Sequence, residues 1–578
     1  MAPGPARSTL LPVARRDLLN AALGKEACDL LVQGAQVLDV FSGQFRPGDL
    51  AIHGGTVVGF GALQAQKVER MEGAFIVPGL IDAHVHLESS RLSPQEFARA
   101  VVARGTTAVI ADPHEIANVL GLEGLRYMLR ATEHLPLKVF FMAPSCVPAS
   151  PLETAGAVLG AAEIAQVFSW PRVLGLGEVM NFPGALAGDC DLWAKIEAAR
   201  GRAVDGHAPG LTGPSLWAYA LSGPRTDHEC TSLEEAREKL GAGLHVLIRE
   251  GTAARNLAAL LPLLNPRSAP FVHFCTDDRE PETLVEEGHM DDVLRKAISG
   301  GVDPEVAFAS ATVHTARLYG LPDLGALAPG YRADFLVLSD PRRVKVEAVY
   351  VEGRKVAEGG LYQGPSFPVQ GSPSPMNVHL KSLSLRVTAG PGQARVIRVL
   401  PDQVVTEEVR RMPKVVGGEV VADPDRDVLK LAVVERHRGT GNVGLGLVQG
   451  FALRRGALAS TVAHDSHNII VVGASDEDMH IAVEELVKMG GGQLVVEKGQ
   501  VLASLPLPVA GLMSDRPLEE VHRLSQGLRQ AARALGCRLP DPFMTLSFLA
   551  LPVIPALKLT DLGLVDVQEF RVVPLFVG

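Results

Sequence analysis

The sequence of 578 residues predicts an α/β protein: a (β/α)8 TIM-like barrel inserted in a small β-sandwich domain, followed by a C-terminal α+β domain. Two glycine-rich stretches of short β-type runs, at 28–75 and 329–360, resemble one small antiparallel sheet. About 250 residues separate them, which is the length that eight β/α units need. Eight apolar β-type runs lie in that interval, and the pattern changes again past residue 375.

These changes of pattern divide the chain into five parts. They are an N-terminal extension (1–27), the first part of the small β domain (28–75), the barrel (76–320), the second part of the small β domain (321–370) and the C-terminal α+β domain (375–578).

The barrel prediction depends on eight runs, most of them followed by a helix-like segment. In "SPQEFARAVVARG", for example, Ser93 and Glu96 have the spacing of a capping box. The sixth run is weak by propensity and is included because a histidine follows it. In order, the runs are "FIVPGLIDAHVH" (75–86), "GTTAVIADPHE" (105–115), "LKVFFMAP" (137–144), "RVLGLGEVM" (172–180), "RAVDGHAP" (202–209), "RTDHE" (225–229), "LHVLIREG" (244–251) and "FVHFCTDD" (271–278).

In the C-terminal region, strand-like runs alternate with helical segments. The pattern predicts strands at "VHLKSLSLRVTA" (378–389), "ARVIRVL" (394–400) and "LKLAVVERH" (429–437). It predicts a helix in "SDEDMHIAVEELVKMGGG", capped by Ser475 and ended by glycines.

Composition excludes several classes of protein. The net charge is −10 and no long basic run occurs, which argues against a nucleic-acid or anionic-membrane partner. "FLALPVIPAL" (548–557) is too short and too proline-rich to span a bilayer, and the N-terminus lacks a secretory signal pattern. None of the six cysteines forms a CxxC pair. These features predict a cytoplasmic protein with reduced thiols.

Candidate metal ligands follow the predicted barrel strands. The pair His84 and His86 is weak evidence by itself, because 17 histidines in 578 residues give roughly 0.5 HxH pairs by chance. However, further polar residues end other strands: His114 and Glu115, Glu178, His207, His228 and Asp277. Barrel active sites are built at that face, and four histidines with two carboxylates can hold two divalent ions. The spacing therefore predicts a binuclear centre.

This arrangement resembles the amidohydrolase superfamily and, within it, the adenine deaminase family. The motifs that carry the closer resemblance run from the barrel into the C-terminal region. They are "DPHEIANV" (112–119), "GLGEVMNFPG" (175–184), "DGHAPGLTG" (205–213), "TDHEC" (226–230), "AHDSHNIIVVG" (463–473) and "LPLPVAGLMSD" (505–515).

The resemblance implies hydrolytic deamination of adenine to hypoxanthine and ammonia by a hydroxide that two metal ions activate, in purine salvage. It implies that His84, His86 and Asp277 bind one ion, that His207 and His228 bind the other, and that Glu178 bridges them in place of the modified lysine of many relatives. It favours Mn²⁺ or Fe²⁺ as cofactors, and the ligand chemistry is equally compatible with Zn²⁺. It also implies adenine as a small-molecule partner and a homo-oligomer, a dimer.

Two catalytic roles follow from this mechanism. Asp277 is the candidate that carries a proton from the attacking hydroxide to the leaving amine. Glu115 is the candidate that donates a proton to the ring nitrogen beside C6, for which a partly desolvated pocket is suitable.

Other motifs leave alternatives open. His114 and the "AHDSHN" residues His464, Asp465 and His467 are candidates for substrate contact or for a further metal ion, or they form a structural hydrogen-bond cluster. Cys230 and Cys275 are interpreted as packing residues rather than ligands. "GTGNVG" (439–444) is interpreted as a loop rather than a dinucleotide site, since no helix follows it.

The metal ligands by themselves do not identify the substrate. One alternative is an amidohydrolase acting on another purine, an N6-substituted adenine or a cyclic amide. A second alternative is a non-catalytic ligand-binding barrel, against which the intact ligand set argues.

Overall fold

The computed structural model describes residues 12–400 and 403–578. Of the predicted N-terminal extension, residues 1–11 lie outside this range, and helix α1 (Pro12–Ala22) follows them. Ala21 of α1 is buried against Ala51 and Val58. The end of the extension is therefore packed on the small sheet.

The first part of the small sheet consists of five strands. They are β1 (Cys28–Asp39), β2 (Gln44–His53), β3 (Thr56–Phe60), β4 (Ala65–Arg70) and β5 (Phe75–Pro78). β1 to β3 pair antiparallel, but β4 runs parallel to β1, so the prediction of an antiparallel sheet was wrong for this strand. β5, whose residues were predicted as the start of the first barrel strand, also runs parallel to β1. The sequence pattern could not reveal this, because alternation records which face of a strand is buried and not the direction of its neighbour.

The barrel consists of eight strands: β6 (Leu80–Val85), β7 (Thr106–Ala111), β8 (Lys138–Ala143), β9 (Val173–Val179), β10 (Ala203–Gly206), β11 (Thr226–Asp227), β12 (His245–Arg249) and β13 (Val272–Cys275). β6 to β10 pair in parallel order, as do β11 to β13. Two backbone links join these sheets into a ring: the Arg225 N–H donates to the Val204 carbonyl at 2.9 Å, and the Asp277 N–H donates to the His84 carbonyl at 3.0 Å. The predicted barrel is confirmed.

The predicted first barrel strand is divided at Gly79. Residues 75–78 belong to the small sheet as β5, and the barrel strand begins only at Leu80. A Cβ at position 79 would lie 2.1 Å from the Thr107 hydroxyl oxygen. Glycine therefore allows the chain to pass from the small sheet into the barrel.

Short helices connect the barrel strands. They are α2 (Pro94–Val102), α3 (His114–Leu120), α4 (Leu122–Ala131), α5 (Ala161–Val167), α6 (Phe182–Ala187), α7 (Cys190–Ala198), α8 (Gly213–Ser222), α9 (Leu233–Gly241), α10 (Leu257–Leu260), α11 (Pro281–Glu286), α12 (Met290–Ser299), α13 (Pro304–Ala309) and α14 (Thr315–Leu318). Ser93 caps α2 as predicted. The Glu96 carboxylate instead accepts the N–H of Leu518, so the other half of the predicted capping box is replaced by a contact with the C-terminal region.

The small sheet is completed by strands that follow the barrel in sequence: β14 (Phe335–Asp340), β15 (Lys345–Val351), β16 (Arg354–Glu358) and β17 (Leu361–Tyr362). β14 pairs antiparallel with β5, so both parts of the chain form one nine-stranded sheet.

The C-terminal region is built on a second nine-stranded sheet. Its strands are β18 (Gln393–Val399), β19 (Thr406–Arg411), β22 (Leu429–Val434), β23 (Val443–Gln449), β24 (Ala457–Ser460), β25 (Ile469–Gly473), β26 (Gly492–Glu497), β27 (Gln500–Pro506) and β31 (Phe576–Val577). Smaller pairings involve β20 (Lys414–Val416) with β21 (Glu419–Val421), and β28 (Leu557–Thr560) with β29 (Gly563–Asp566) and β30 (Arg571–Val573). The helices are α15 (Asp476–Met489), α16 (Leu518–Ala534) and α17 (Pro542–Phe548).

Local predictions in this region differ in outcome. Ser475 caps α15 and the left-handed Gly490 ends it, as predicted. Residues 439–442 of "GTGNVG" form the end of the loop between β22 and β23, as predicted, and Val443 and Gly444 begin β23. The predicted strand at 378–389 was wrong: the segment forms a single 3-10 turn at Leu380–Ser382 and an isolated bridge at Thr388. Its alternation arises because Leu385 and Val387 pack onto the second sheet without a partner strand.

The C-terminal region packs on the barrel, and both contribute to one hydrophobic core, with Val85 and Ile116 from the barrel and Leu512 and Leu546 from the C-terminal region. Among the described residues, no helix combines the length and hydrophobicity that crossing a membrane requires.

Candidate metal centre and substrate pocket

The six predicted metal ligands converge at the C-terminal ends of the barrel strands. His84 and Glu178 lie in β6 and β9, and His86, His207, His228 and Asp277 follow β6, β10, β11 and β13. All six are buried. Asp277 has a φ of 55°, a left-handed conformation that is uncommon outside glycine and that often marks a functional position.

The Glu178 carboxylate lies at the centre of this group. Its Oε1 is 3.3 Å from His86 Nε2 and 3.7 Å from His84 Nε2, while its Oε2 is 2.6 Å from His207 Nδ1 and 3.4 Å from His228 Nε2. Asp277 Oδ1 lies on the first side, 3.1 Å from His86 Nε2 and 3.7 Å from His84 Nε2. The geometry thus has two groups of ligands with one carboxylate between them.

The donor chemistry fits two divalent ions. His86 Nδ1 lies 2.8 Å from the Asp112 carbonyl, which can only accept, so the proton is on Nδ1 and the Nε2 lone pair faces the other ligands. Metal-binding histidines are commonly oriented in this way. Imidazole and carboxylate together suit Mn²⁺, Fe²⁺ and Zn²⁺. Several triads of these residues have donor atoms close enough for one ion, among them His84–His86–Glu178 and Glu178–His207–His228.

The buried hydroxyl of Tyr219 joins the segments that carry Glu178 and His207. The Tyr219 hydroxyl accepts the N–H of His207 and donates to the Val179 carbonyl, each at 2.9 Å. It therefore links the residue after Glu178 to His207. An analogous role in the next loop belongs to Lys239, which donates to the Ala208 carbonyl at 2.7 Å and to Asp227 at 2.8 Å. Neither residue was identified from the sequence, because each lies in a helix far along the chain from the groups that it binds.

Glu115 lies in a second polar cluster, to which the C-terminal region contributes. His464 Nδ1 is 2.8 Å from Glu115 Oε1, and His467 Nε2 contacts Glu115 Oε2. His467 Nδ1 accepts the N–H of Ala463 at 3.2 Å. Because that nitrogen accepts, the proton of a neutral His467 is on Nε2, the nitrogen that contacts Glu115 Oε2. The donor atoms of Glu115, His464 and His467 are also close enough together to hold one ion, which would take the Nε2 lone pair of His467.

The charges of this cluster follow from burial and pairing. Burial by itself would raise the pKa of Glu115, but His464 and His467 outweigh it and hold the pKa well below its usual value. Burial would lower the pKa of His464, but the Glu115 carboxylate raises it to about 9. Burial lowers the pKa of His467 to about 4. At neutral pH the cluster is therefore a Glu115 carboxylate between a His464 imidazolium and a neutral His467.

His114 lies between the two clusters. Its Nδ1 is 3.6 Å from Glu178 Oε1, and its Nε2 is 3.9 Å from Asp465 Oδ2. Burial raises the pKa of Asp465 to about 6. All four residues proposed for substrate or further metal contact thus border the metal centre or the Glu115 cluster.

A pocket opens between the two clusters. One side is polar and includes His86, Glu115, His228 and Asp277. The apolar part of the lining, called the apolar wall below, comes largely from the C-terminal region: Val404, Met544, Phe548, Leu551 and Ile554, with Met180 from the barrel. The Phe548 ring stacks on the His464 ring with centroids 4.5 Å apart. A flat apolar ligand would have ring faces to pack against and polar groups at its edge.

Arg249, Glu229 and Asp278 also line the pocket, although the sequence analysis did not identify them. Arg249 Nη1 donates to Asp277 Oδ2 at 2.7 Å, and Nη2 donates to Glu229 Oε2 at 2.9 Å. Arg249 ends β12, the seventh barrel strand, so its position at a strand end was the available signal. Glu229 and Asp278 each follow a predicted ligand directly. Cys230 and Cys275 are buried in apolar clusters, as expected of packing residues.

Comparison with known proteins covers both the barrel and the C-terminal region. A family model described as "Amidohydrolase family" matches residues 75–356, and one described as "Adenine deaminase C-terminal domain" matches residues 403–571.

Three curated relatives, each named adenine deaminase, match almost the whole chain. The protein of Desulfatibacillum aliphaticivorans is 50% identical over 97% of this chain and 99% of its own length. That of Methanothrix thermoacetophila is 50% identical over 97% of this chain and 99% of its own length. That of Nitratidesulfovibrio vulgaris (strain DP4) is 52% identical over 96% of this chain and 97% of its own length.

Proposed function

The chain belongs to the adenine deaminase family of amidohydrolases, and on this premise we propose that it hydrolyses adenine to hypoxanthine and ammonia at the barrel mouth. The observation that carries the proposal is the length of the similarity. Identity near 50% extends over the barrel, which supplies the metal ligands, and over the C-terminal region, which supplies the apolar pocket wall. A ligand-binding barrel without catalysis has no comparable support.

The proposed ligands are His84, His86 and Asp277 for one ion, His207 and His228 for the other, and Glu178 between them. When bound, two divalent ions supply a nucleophilic oxygen at neutral pH, since they lower the pKa of water to about 7. Two such ions exceed the charge of the two carboxylates, so the site favours a substrate that gains negative charge during the reaction.

Asp277 is the proposed carrier of the nucleophile's proton to the leaving amine. The reaction adds water at C6 and breaks the bond from C6 to the exocyclic nitrogen, which leaves as ammonia. Arg249 holds Asp277 Oδ2, so Oδ1 remains directed at the histidines. This orientation supports Asp277 in the role, because one of its oxygens is positioned at the reacting centre while the other is fixed.

Glu115 is the proposed proton donor to the ring nitrogen beside C6. Because it is a carboxylate at neutral pH, the proton that it delivers is the one that His464 carries on Nδ1, 2.8 Å from Glu115 Oε1. His464 thereby becomes part of the proposed acid, while His467 holds the other carboxylate oxygen.

Mn²⁺ or Fe²⁺ is the proposed cofactor, with Zn²⁺ compatible with the same ligands. A cytoplasmic location and a homodimer are the proposed setting, consistent with the thiol content of the sequence and with the family resemblance.

A substrate panel tests the function. The purified protein, loaded with Mn²⁺, is assayed for ammonia release from adenine, guanine, adenosine and cytosine. We expect release from adenine with a kcat/KM at least about a hundredfold above the others, which corresponds to about 2.7 kcal/mol. If another purine were preferred, the proposed substrate would be wrong and the proposed metal chemistry would stand. If no purine released ammonia, the proposal would be refuted.

A further inference from the structure

Lys558 is a buried lysine on the far side of the apolar pocket wall. It lies in β28, and its relative exposure is 0%. Its Nζ donates to the Val404 carbonyl at 2.8 Å and to the Phe548 carbonyl at 3.0 Å. Among the described residues, no carboxylate oxygen lies within 4.0 Å of this nitrogen, so two neutral carbonyls are its partners.

A buried lysine here has an energetic cost. Transferring an ammonium group out of water without a counter-ion is costly, and burial lowers the pKa of Lys558 to about 7. An apolar side chain of similar volume would avoid that cost, but it would leave the Val404 and Phe548 carbonyls without this donor. The role of Lys558 therefore lies in the two residues whose carbonyls it binds, Val404 and Phe548.

Both partners belong to the pocket wall. Phe548 is the last residue of α17, where helix carbonyls lack intrahelical partners. Val404 lies two residues before the start of β19. Both residues line the pocket. β28 supports the end of α17 a second time, since the Leu559 N–H donates to the Leu549 carbonyl at 2.9 Å.

The Phe548 ring also stacks on the face of the His464 ring, whereas His464 contacts Glu115 through Nδ1 at its edge. A shift of α17 would move the ring relative to the space where a base packs. The metal ligands are independent of α17, since all six are on barrel strands or the loops that follow them.

We propose that Lys558 is a positioning residue for the apolar wall, where it fixes Phe548 and Val404 at the spacing that a bound purine needs. This inference rests on the proposed function of the pocket. It makes Lys558 a determinant of substrate affinity, although it touches neither substrate nor metal.

The test compares Lys558→Met with Lys430→Met. Lys430 is likewise buried in the C-terminal region, where it donates to the Leu385 carbonyl and to Asp476, and it does not line the pocket. We expect Lys558→Met to raise the KM for adenine roughly tenfold, as losing about 1.4 kcal/mol of binding would, with kcat within about twofold of wild type. Metal content should be unchanged. Lys430→Met should lower the melting temperature and leave KM unchanged.

A second comparison shows whether Lys558 acts through Phe548. Phe548→Leu should raise KM by itself, and combining it with Lys558→Met should add little, because both changes disturb the same wall. Should Lys558→Met not fold, Lys558→Gln, whose amide can donate to one carbonyl, should give a KM between wild type and Phe548→Leu.

Three outcomes would overturn the proposal: an unchanged KM in Lys558→Met, an equal rise in Lys430→Met, or full additivity with Phe548→Leu. KM is measured for whichever base the wild type deaminates. A failure of the adenine assignment is therefore seen in the wild-type substrate panel, separately from the behaviour of these variants.

Discussion

Replacing Glu115 with glutamine removes the proposed acid and keeps the shape of the side chain. In the structure, one carboxylate accepts from His464 Nδ1 and contacts His467 Nε2, which are both donors. A glutamine carries no charge, so the charge-assisted pairing of the Glu115 carboxylate with the His464 imidazolium is lost. Losing this buried pairing should lower the free energy of unfolding by about 1–3 kcal/mol. Losing general-acid catalysis should lower kcat by a factor of about 10²–10⁴.

The pH dependence of stability gives a second measure of the same pair. The pKa of Glu115 is lowered in the folded state, so its contribution is present above the unfolded value and is lost as pH falls. The pKa of His464 is raised to about 9, so its contribution is complete below its ordinary value of 6.5 and is lost as pH rises through 9. The stability difference between wild type and Glu115→Gln should thus be greatest between about pH 4.5 and 6.5, and it should shrink above pH 9.

The assay is ammonia release at saturating adenine, with chemical unfolding and metal analysis on the same samples. Asp334→Asn is the matched control, because Asp334 is a buried carboxylate paired with Lys138 at 2.8 Å outside the pocket. It should lose stability and keep turnover. If the turnover of Glu115→Gln stayed within about threefold of wild type, the activation free energy would have risen by less than about 0.7 kcal/mol, and the acid role would be refuted. A third equivalent of metal in wild type, lost in the variant, would instead support the metal-site alternative for His464 and His467.

Three further predictions concern the metal centre and Lys558. Tyr219→Phe leaves the His207 N–H and the Val179 carbonyl without this partner, so metal affinity should fall about 10–100-fold in a metal titration, with kcat recovered at high metal concentration. Chelation should abolish ammonia release, and about two equivalents of Mn²⁺ or Fe²⁺ per chain should restore it; restoration by one equivalent would contradict the binuclear arrangement. The pKa of Lys558 is lowered to about 7 in the folded state, so the unfolded chain binds the extra proton between pH 7 and 10.5, and stability should rise with pH in that interval. Urea unfolding should show a gain of about 2 kcal/mol from pH 7 to 9 that Lys558→Met lacks.

Local sequence patterns were sufficient for most of the barrel. Apolar β-type runs predicted seven of the eight strands, because a buried parallel strand has an apolar sequence wherever it pairs, and the two-residue β11 was included because of the histidine beside it. Most candidate ligands were identifiable because they end or directly follow those runs. A residue such as His207 needs no knowledge of distant contacts, since the end of its own strand places it at the barrel mouth.

Pairing direction and partner choice were not predictable in the same way. The sequence of a strand such as β4 does not reveal whether its neighbour is parallel or antiparallel, and residues 378–389 alternate because they pack on a sheet without joining it. An alternating pattern shows that one face is buried, and it contains no information about hydrogen-bond partners.

The sequence by itself determined the barrel, the order of the candidate metal ligands along it and the family to which the chain is similar, because each of these depends on residues that are near one another in the chain or on similarity along its whole length. Only the tertiary structure showed that Arg249 holds Asp277, that His464 and His467 enclose Glu115, and that Lys558 donates to the Phe548 carbonyl. Glu115 and His464 are separated by almost 350 positions in the chain, and their meeting depends on how the C-terminal region packs on the barrel. The physical reason is that burial and strand ends are encoded locally, whereas the partner of a buried charge is set by long-range packing.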